Sequence, residues 1–214
     1  VNAMRNATTA SYNTAVGINS LFSATTGTGV NTAIGRESMY STTTGARNTA
    51  VGQSSLLNNT TASGNTAIGM ESLFSNTTGA QNAAVGDTAL YANTTASNNT
   101  AVGYQALLTN TTGGANTALG TTALRSSTTA SNNVAVGQDS LYTLTTGTGN
   151  VVLGTAAARG MTTGNYNVVV GQEALKANTT TSYNTAVGYQ ALSGAITNNY
   201  HVAVGYQTLQ SNTS

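Results

Sequence analysis

Asn99-Thr100-Ala101-Val102-Gly103-Tyr104-Gln105-Ala106-Leu107 returns almost unchanged from Asn184 to Leu192, and looser copies of it run through the whole chain. Its core, Thr-Ala-Val-Gly or a close variant, ends at Gly17, Gly35, Gly52, Gly69, Gly86, Gly103, Gly120, Gly137, Gly154, Gly171, Gly188 and Gly205, giving twelve copies. The first interval is 18 residues and the other ten are 17. The extra residue falls within Thr28-Gly29-Val30. That stretch is expected to be a loop, because an insertion inside a strand would turn every later side chain to the wrong face. A fixed period of this kind defines the fold before any single segment does.

Counting from the glycine, the residue before it is always aliphatic, from Val16 and Ile34 to Val187 and Val204, which predicts a buried column. The residue before that is Ala in ten copies and Val in two, Val152 and Val169. Asn opens the unit in eleven copies, and His201 replaces it in the twelfth. Leu stands four residues after the glycine, with Met39 and Ala158 as the exceptions, and a Thr-Thr pair follows, as at Thr25-Thr26, Thr60-Thr61 and Thr111-Thr112. A 17-residue unit is too short for two helices and a turn, and its β-branched, Gly-rich and Asn-rich make-up disfavours one helix.

The expected fold is therefore all-β, a parallel β-solenoid or β-roll of about twelve 17-residue coils. Asn-Thr-Ala-Val is one strand and the Ala-Leu segment the second, with coils stacked ~4.8 Å apart into a rod ~60 Å long. The glycine column marks a corner that needs φ > 0 or close backbone approach. Asn at a fixed corner is suited to a hydrogen-bonded ladder along the stack.

Side chains alternate across a strand, so Val and Thr share one face of Thr-Ala-Val while Ala takes the other, and both faces are nearly apolar. Further on, Phe22, Tyr40, Phe74, Tyr91 and Tyr142 each follow the Leu-column residue. If that column fills the coil, the aromatic column lies outside; the alternative is a kink that puts both inside. Tyr166, Tyr183 and Tyr200 share another column, and Tyr189 and Tyr206 a third. These ten aromatics are the candidate contacts with another copy of the chain or with a host-surface glycan or protein. Packing among themselves is the simpler role for the tyrosine columns. An apolar outer column beside a flat small-residue face is what self-association into a homotrimer or filament would require.

Gly45, Ala62, Gly79, Ala96, Gly113, Ala130 and Gly147 alternate after the Thr pairs, a 34-residue superperiod that fits duplication of a two-coil ancestor. The chain begins and ends inside a repeat, at Val1 and Thr213-Ser214. Residues 1–214 are thus expected to form a single repeat domain, a section of a longer fibre without terminal caps.

At Asn99 to Leu107 and Asn184 to Leu192 the chain resembles the head repeats of trimeric autotransporter adhesins, with their Asn-Ser-Val-Ala-Ile-Gly and Gly-x-x-Ala segments. It is also similar to repeat regions of phage tail fibres. The resemblance covers the whole chain and implies a left-handed, trimeric, non-enzymatic adhesive fibre, or a tail-fibre shaft, whose Val and Leu columns are buried. It implies an extracellular, cell-surface or virion-surface location. The unit is longer here, 17 residues, because the Asn-Thr-Thr segment is extra.

Composition narrows the chemistry. Lys and Arg number 6 and Asp and Glu 5, so 5% of the residues are charged, against about a quarter in ordinary soluble domains. Without a basic cluster nothing would neutralise nucleic-acid phosphates. The chain has no Cys, so no disulfide or thiolate site, and no apolar run of the ~18 residues that a membrane span needs. No catalytic residue, cofactor site or metal site is assigned. Glu37, Glu71, Asp139 and Glu173 share one variable repeat position, which exposure explains, and His201 reads as a substituted ladder residue. Gly27-Thr28-Gly29 lacks the lysine of a phosphate loop. Sequons at Asn6, Asn59, Asn76, Asn93, Asn98, Asn110 and Asn178 mostly follow from the repeat and read as turn and ladder chemistry. Ice binding is a further alternative, but adjacent threonines such as Thr60-Thr61 point to opposite faces of an extended strand, unlike a Thr-x-Thr array.

Overall fold

The computed structural model describes residues 2–7, 9–25 and 29–210. Val1, Thr26, Gly27, Thr28 and Thr213-Ser214 lie outside the described residues. The chain is all-β, with two compact units, Val1–Gln105 and Ala106–Ser214, built by the same rule. The first carries β1 (Thr14–Val16), β2 (Thr32–Ile34), β3 (Thr49–Val51), β4 (Thr66–Ile68), β5 (Ala83–Val85) and β6 (Thr100–Val102). The second carries β7 (Thr117–Leu119), β8 (Val134–Val136), β9 (Val151–Leu153), β10 (Val168–Val170), β11 (Thr185–Val187) and β12 (Val202–Val204). Within each unit every strand pairs in parallel with the next along the sequence, one strand per coil, making a β-solenoid. Thr14 sits opposite Thr32 and Val16 opposite Ile34, so the longer first interval leaves the register intact.

The interior differs from the expectation. From β2 to β12 the middle residue of each strand is the buried one, and Ala33, Ala67, Ala101, Ala118, Ala135 and Ala186 are fully enclosed; in β1, Ala15 is partly buried. The aliphatic residue beside the glycine faces outward, with Val16, Ile34, Ile68, Val102, Leu119, Leu153, Val170 and Val204 between 37 and 64% exposed. The Val column is therefore an outer column and the small-residue face an inner one. The cause is space. The Leu column, from Leu21 to Leu192, is fully buried. The inward strand position is Ala in every coil but two, where Val152 and Val169 are enclosed, while the aliphatic residue takes the outer face, where a pleated surface accommodates it. The Ala158 exception obeys the same limit: its coil also carries the enclosed Val152 and Met161. Volume removed at one inward position returns at two others, as close packing demands.

The Ala-Leu segment is not a second strand. Its residues two and four after the glycine take left-handed conformations throughout, for example Ser54 (φ 53) with Leu56 (φ 51) and Glu173 (φ 56) with Leu175 (φ 52). Each such residue costs about 1 kcal/mol or more in isolation. A backbone ladder holds them there, with donors that alternate in direction. Ser54 N–H donates back to Arg36 O at 2.8 Å, and Leu56 N–H donates forward to Ser72 O at 2.9 Å. The segment thus joins coil to coil as a strand would, with φ of alternating sign.

The glycine corner combines both constraints foreseen for it. At Gly154 φ is +141, and a Cβ there would lie 2.5 Å from the carbonyl oxygen of Gly171 in the next coil. The Asn column makes a ladder. Asn150 N–H and Nδ2 both donate to Asn133 Oδ1, at 2.9 and 3.0 Å, and Nδ2 also donates to Gly164 O at 2.8 Å. Asn59, Asn76 and Asn93 form a second buried ladder, in which Asn76 Nδ2 donates to Asn59 Oδ1 at 3.1 Å and Asn93 Nδ2 to Asn76 Oδ1 at 2.8 Å. His201 continues the first column through its backbone, whose N–H donates to Asn184 Oδ1 at 2.9 Å.

Candidate functional surface

The outward positions of the strands define a regular surface on both units. In the first unit Thr14, Thr32, Thr49, Thr66 and Thr100 alternate along their strands with Val or Ile. No hydroxyl of these five threonines hydrogen-bonds another described residue. A different Thr column behaves oppositely: Thr43, Thr60 and Thr77 each donate their hydroxyl to a carbonyl of the next coil, at 3.1, 3.2 and 3.0 Å. The ladder uses one set and leaves the other to solvent. In the second unit the outer face is more aliphatic, since Val134, Val151, Val168 and Val202 stand where the first unit has mostly Thr. None of these outward strand positions is charged in either unit.

The candidate aromatics fall into three separate columns. Phe22, Tyr40, Phe74, Tyr91 and Tyr142 are half-buried on the outside of the Leu column, so the coil does not kink to take both inside. Phe22 stacks on Tyr40 with centroids 4.9 Å apart, and Phe74 on Tyr91 at 5.0 Å. In the second unit this column turns cationic. Arg159 and Arg125 lie 5.0 and 5.7 Å from the centroid of the Tyr142 ring, one from the coil after it and one from the coil before. Tyr166, Tyr183 and Tyr200 form a three-ring stack, and Tyr189 with Tyr206 a two-ring stack. These bracket the strands: from Tyr183 through Thr185 and Val187 to Tyr189 the outward residues are wholly or partly exposed, while Asn184 and Ala186 are buried. Within each stack the rings cover one another's facing sides, and Tyr200 and Tyr206, at the ends of their stacks, are the most exposed of the five.

The carboxylates sit apart. Glu37 pairs with Arg36 and Asp139 with Arg159, each at 3.5 Å. Glu173 accepts from Lys176 Nζ at 2.8 Å and from Gln190 Nε2 at 2.8 Å, and these two bonds hold its carboxyl below the usual range. Among the described residues no three of His, Cys, Asp and Glu come close enough to share a metal ion. Among the described residues no helix is long and apolar enough to cross a membrane. Of the sequon asparagines, Asn59, Asn76, Asn93, Asn110 and Asn178 are fully buried, whereas Asn6 and Asn98 are exposed.

Two features escaped the sequence. The cation-tyrosine-cation column was present as Arg125, Tyr142 and Arg159 at 17-residue spacing, a signal hidden when only aromatics are followed. The unpaired outer threonines were hidden because the sequence does not say which strand face is outside. Compared with models of known protein families, with curated proteins and with solved structures, the chain matches none.

Proposed function

We propose that this chain is a non-enzymatic structural element of an extracellular fibre, carried on a cell or virion surface, whose strand faces pack against other copies. The observation that carries this reading is the outward aliphatic column. Val, Ile or Leu recurs beside every corner glycine, exposed or half-exposed, on a face with no charge. Such a surface loses more by staying in water than scattered apolar residues do, and contiguous exposure of this kind marks association sites. The trimer, the adhesive role and the tail-fibre shaft are finer versions of the same proposal, supported by the resemblance of the repeat motif. The native mass and electron micrographs test it. Filaments or defined oligomers that dissociate when Val136→Lys and Val170→Lys are combined support it. A particle that stays monomeric and compact at every concentration contradicts it.

One observation favours a second reading, binding of ice. Thr60 and Thr61 are not the relevant pair. The outward Thr-x-Val and Thr-x-Ile pairs of β1 to β4 and β6 form an uncharged array of methyls and unbonded hydroxyls, at the strand spacing of ~4.8 Å. Thermal hysteresis at micromolar protein, lost on Thr49→Lys, supports this reading. Its absence removes it.

A further inference from the structure

The ten tyrosines of the chain divide evenly by what each one touches. Five meet another phenol. The Tyr166 and Tyr183 centroids are 5.4 Å apart with planes at 19°, Tyr183 and Tyr200 5.3 Å apart at 13°, and Tyr189 and Tyr206 5.4 Å apart at 16°. All five are between 39 and 74% exposed. The other five have no phenol partner. Tyr40 and Tyr91 stack on phenylalanines, Tyr142 lies against Arg125 and Arg159, and Tyr12 and Tyr104 have no aromatic neighbour among the described residues.

We propose that the two tyrosine stacks are sites of oxidative tyrosine coupling, in which a one-electron oxidant driven by peroxide joins neighbouring coils covalently. Each phenol gives up one electron to the oxidant and its O–H proton to solvent, leaving a phenoxyl radical with spin on the carbons ortho to oxygen. Two ortho carbons form one C–C bond. Their two hydrogens then move to the oxygens, which restores both phenols. The net change is two phenols to one biphenol with release of two electrons and two protons, and one hydrogen peroxide accepts these to become two waters.

The stack supplies what the reaction otherwise lacks, a second radical held nearby. Two ring carbons on unconnected molecules must meet by diffusion, whereas reactants fixed beside each other have a high effective concentration. The fixing is visible in the column next to the rings. Asn165 N–H donates to Ser182 Oγ at 2.9 Å, and Ser182 N–H to Asn199 Oδ1 at 2.8 Å, which ties the three coils together one residue before each tyrosine. The bond requires the rings to swing from face to face toward edge to edge, and their outer edges lie in solvent. No such step is open to Tyr40 or Tyr91, whose partners carry no hydroxyl.

The test treats the full chain, dilute, with a haem peroxidase and hydrogen peroxide. It follows the blue fluorescence of coupled tyrosine, together with intact mass. Wild type should gain intrachain links, each seen as the loss of two hydrogens. Tyr183→Phe with Tyr189→Phe keeps every ring but removes every phenol pair, and should lower the fluorescence ~10-fold or more. Tyr183→Phe alone should leave only the link between Tyr189 and Tyr206. Tyr12→Phe with Tyr104→Phe should change nothing. The proposal is overturned if the first double variant keeps the wild-type yield, if the product is chiefly covalent dimer rising with protein concentration, or if the chain couples equally well in guanidinium.

Discussion

Val170 and Leu175 are five residues apart, both aliphatic, and each belongs to a column that recurs through the array, yet one is 38% exposed and the other fully buried. Uniformity of a column therefore reports a constraint without saying which side of the chain imposes it. The Leu column is uniform because the coil interior has one size. The Val column is uniform because an outward strand position favours β-branched residues and, on the proposal above, because a neighbour must fit against it.

Breaking the inner side should cost most. Gly154→Val places a Cβ within 2.5 Å of a backbone carbonyl and demands φ near +141 from a β-branched residue. The expected loss is roughly 3 kcal/mol or more, read from denaturant midpoints, with local cleavage near its own coil and the next. Asn150→Ala follows. It strips the acceptor used by Asn167 and the donor used by Gly164 O, both buried, and should cost about 3 kcal/mol. Leu141→Ala should cost about 2 to 5 kcal/mol through the cavity it leaves.

A finer test uses the irregular coil. Ala158→Leu alone should overpack it by about 1 to 3 kcal/mol, and Met161→Asn alone should weaken it by a similar amount. The double variant, which restores the ordinary Leu and Asn pair, should lose less than the sum of the two. Strict additivity in that cycle would show that the two positions do not share volume.

The outer side should be tolerant. Val170→Thr is expected to shift unfolding by no more than about 0.5 kcal/mol. Smallest of all is the pH response. Glu173 has its folded pKa lowered, chiefly by the hydrogen bond from Lys176, so its contribution is present above the unfolded value. It is lost as pH falls through the folded value. Stability should stay flat from neutrality down to the carboxylate range and then dip slightly, and Glu173→Gln should remove part of that dip.

The period, the parallel stacking and the strand position were legible because glycine, asparagine and the aliphatic step repeat without drift. The direction of the strand faces was not, since alternation separates Ala33 from Ile34 but assigns neither to the core. Side-chain volume against the Leu column decides it, and that comparison needs the width of the coil. The left-handed turn at Ser54 and Leu56 was illegible for another reason. Neither residue prefers positive φ, and only the hydrogen bonds of the coils on either side impose it. The tyrosine columns could be read from spacing, but whether a ring meets a phenol, a phenylalanine or a guanidinium depends on the neighbouring coil at that same position.

The contrast between the two columns can be measured directly because the chain has no cysteine. Val170→Cys and Leu175→Cys, each in dilute native protein, can be compared for their rate of reaction with a soluble thiol reagent. The account predicts that Cys at 170 reacts at close to its rate in the unfolded chain, while Cys at 175 is slower by ~100-fold or more, since it must wait for the coil to open. Equal rates at the two sites, or faster reaction at 175, would contradict the assignment of Leu to the inside and Val to the outside.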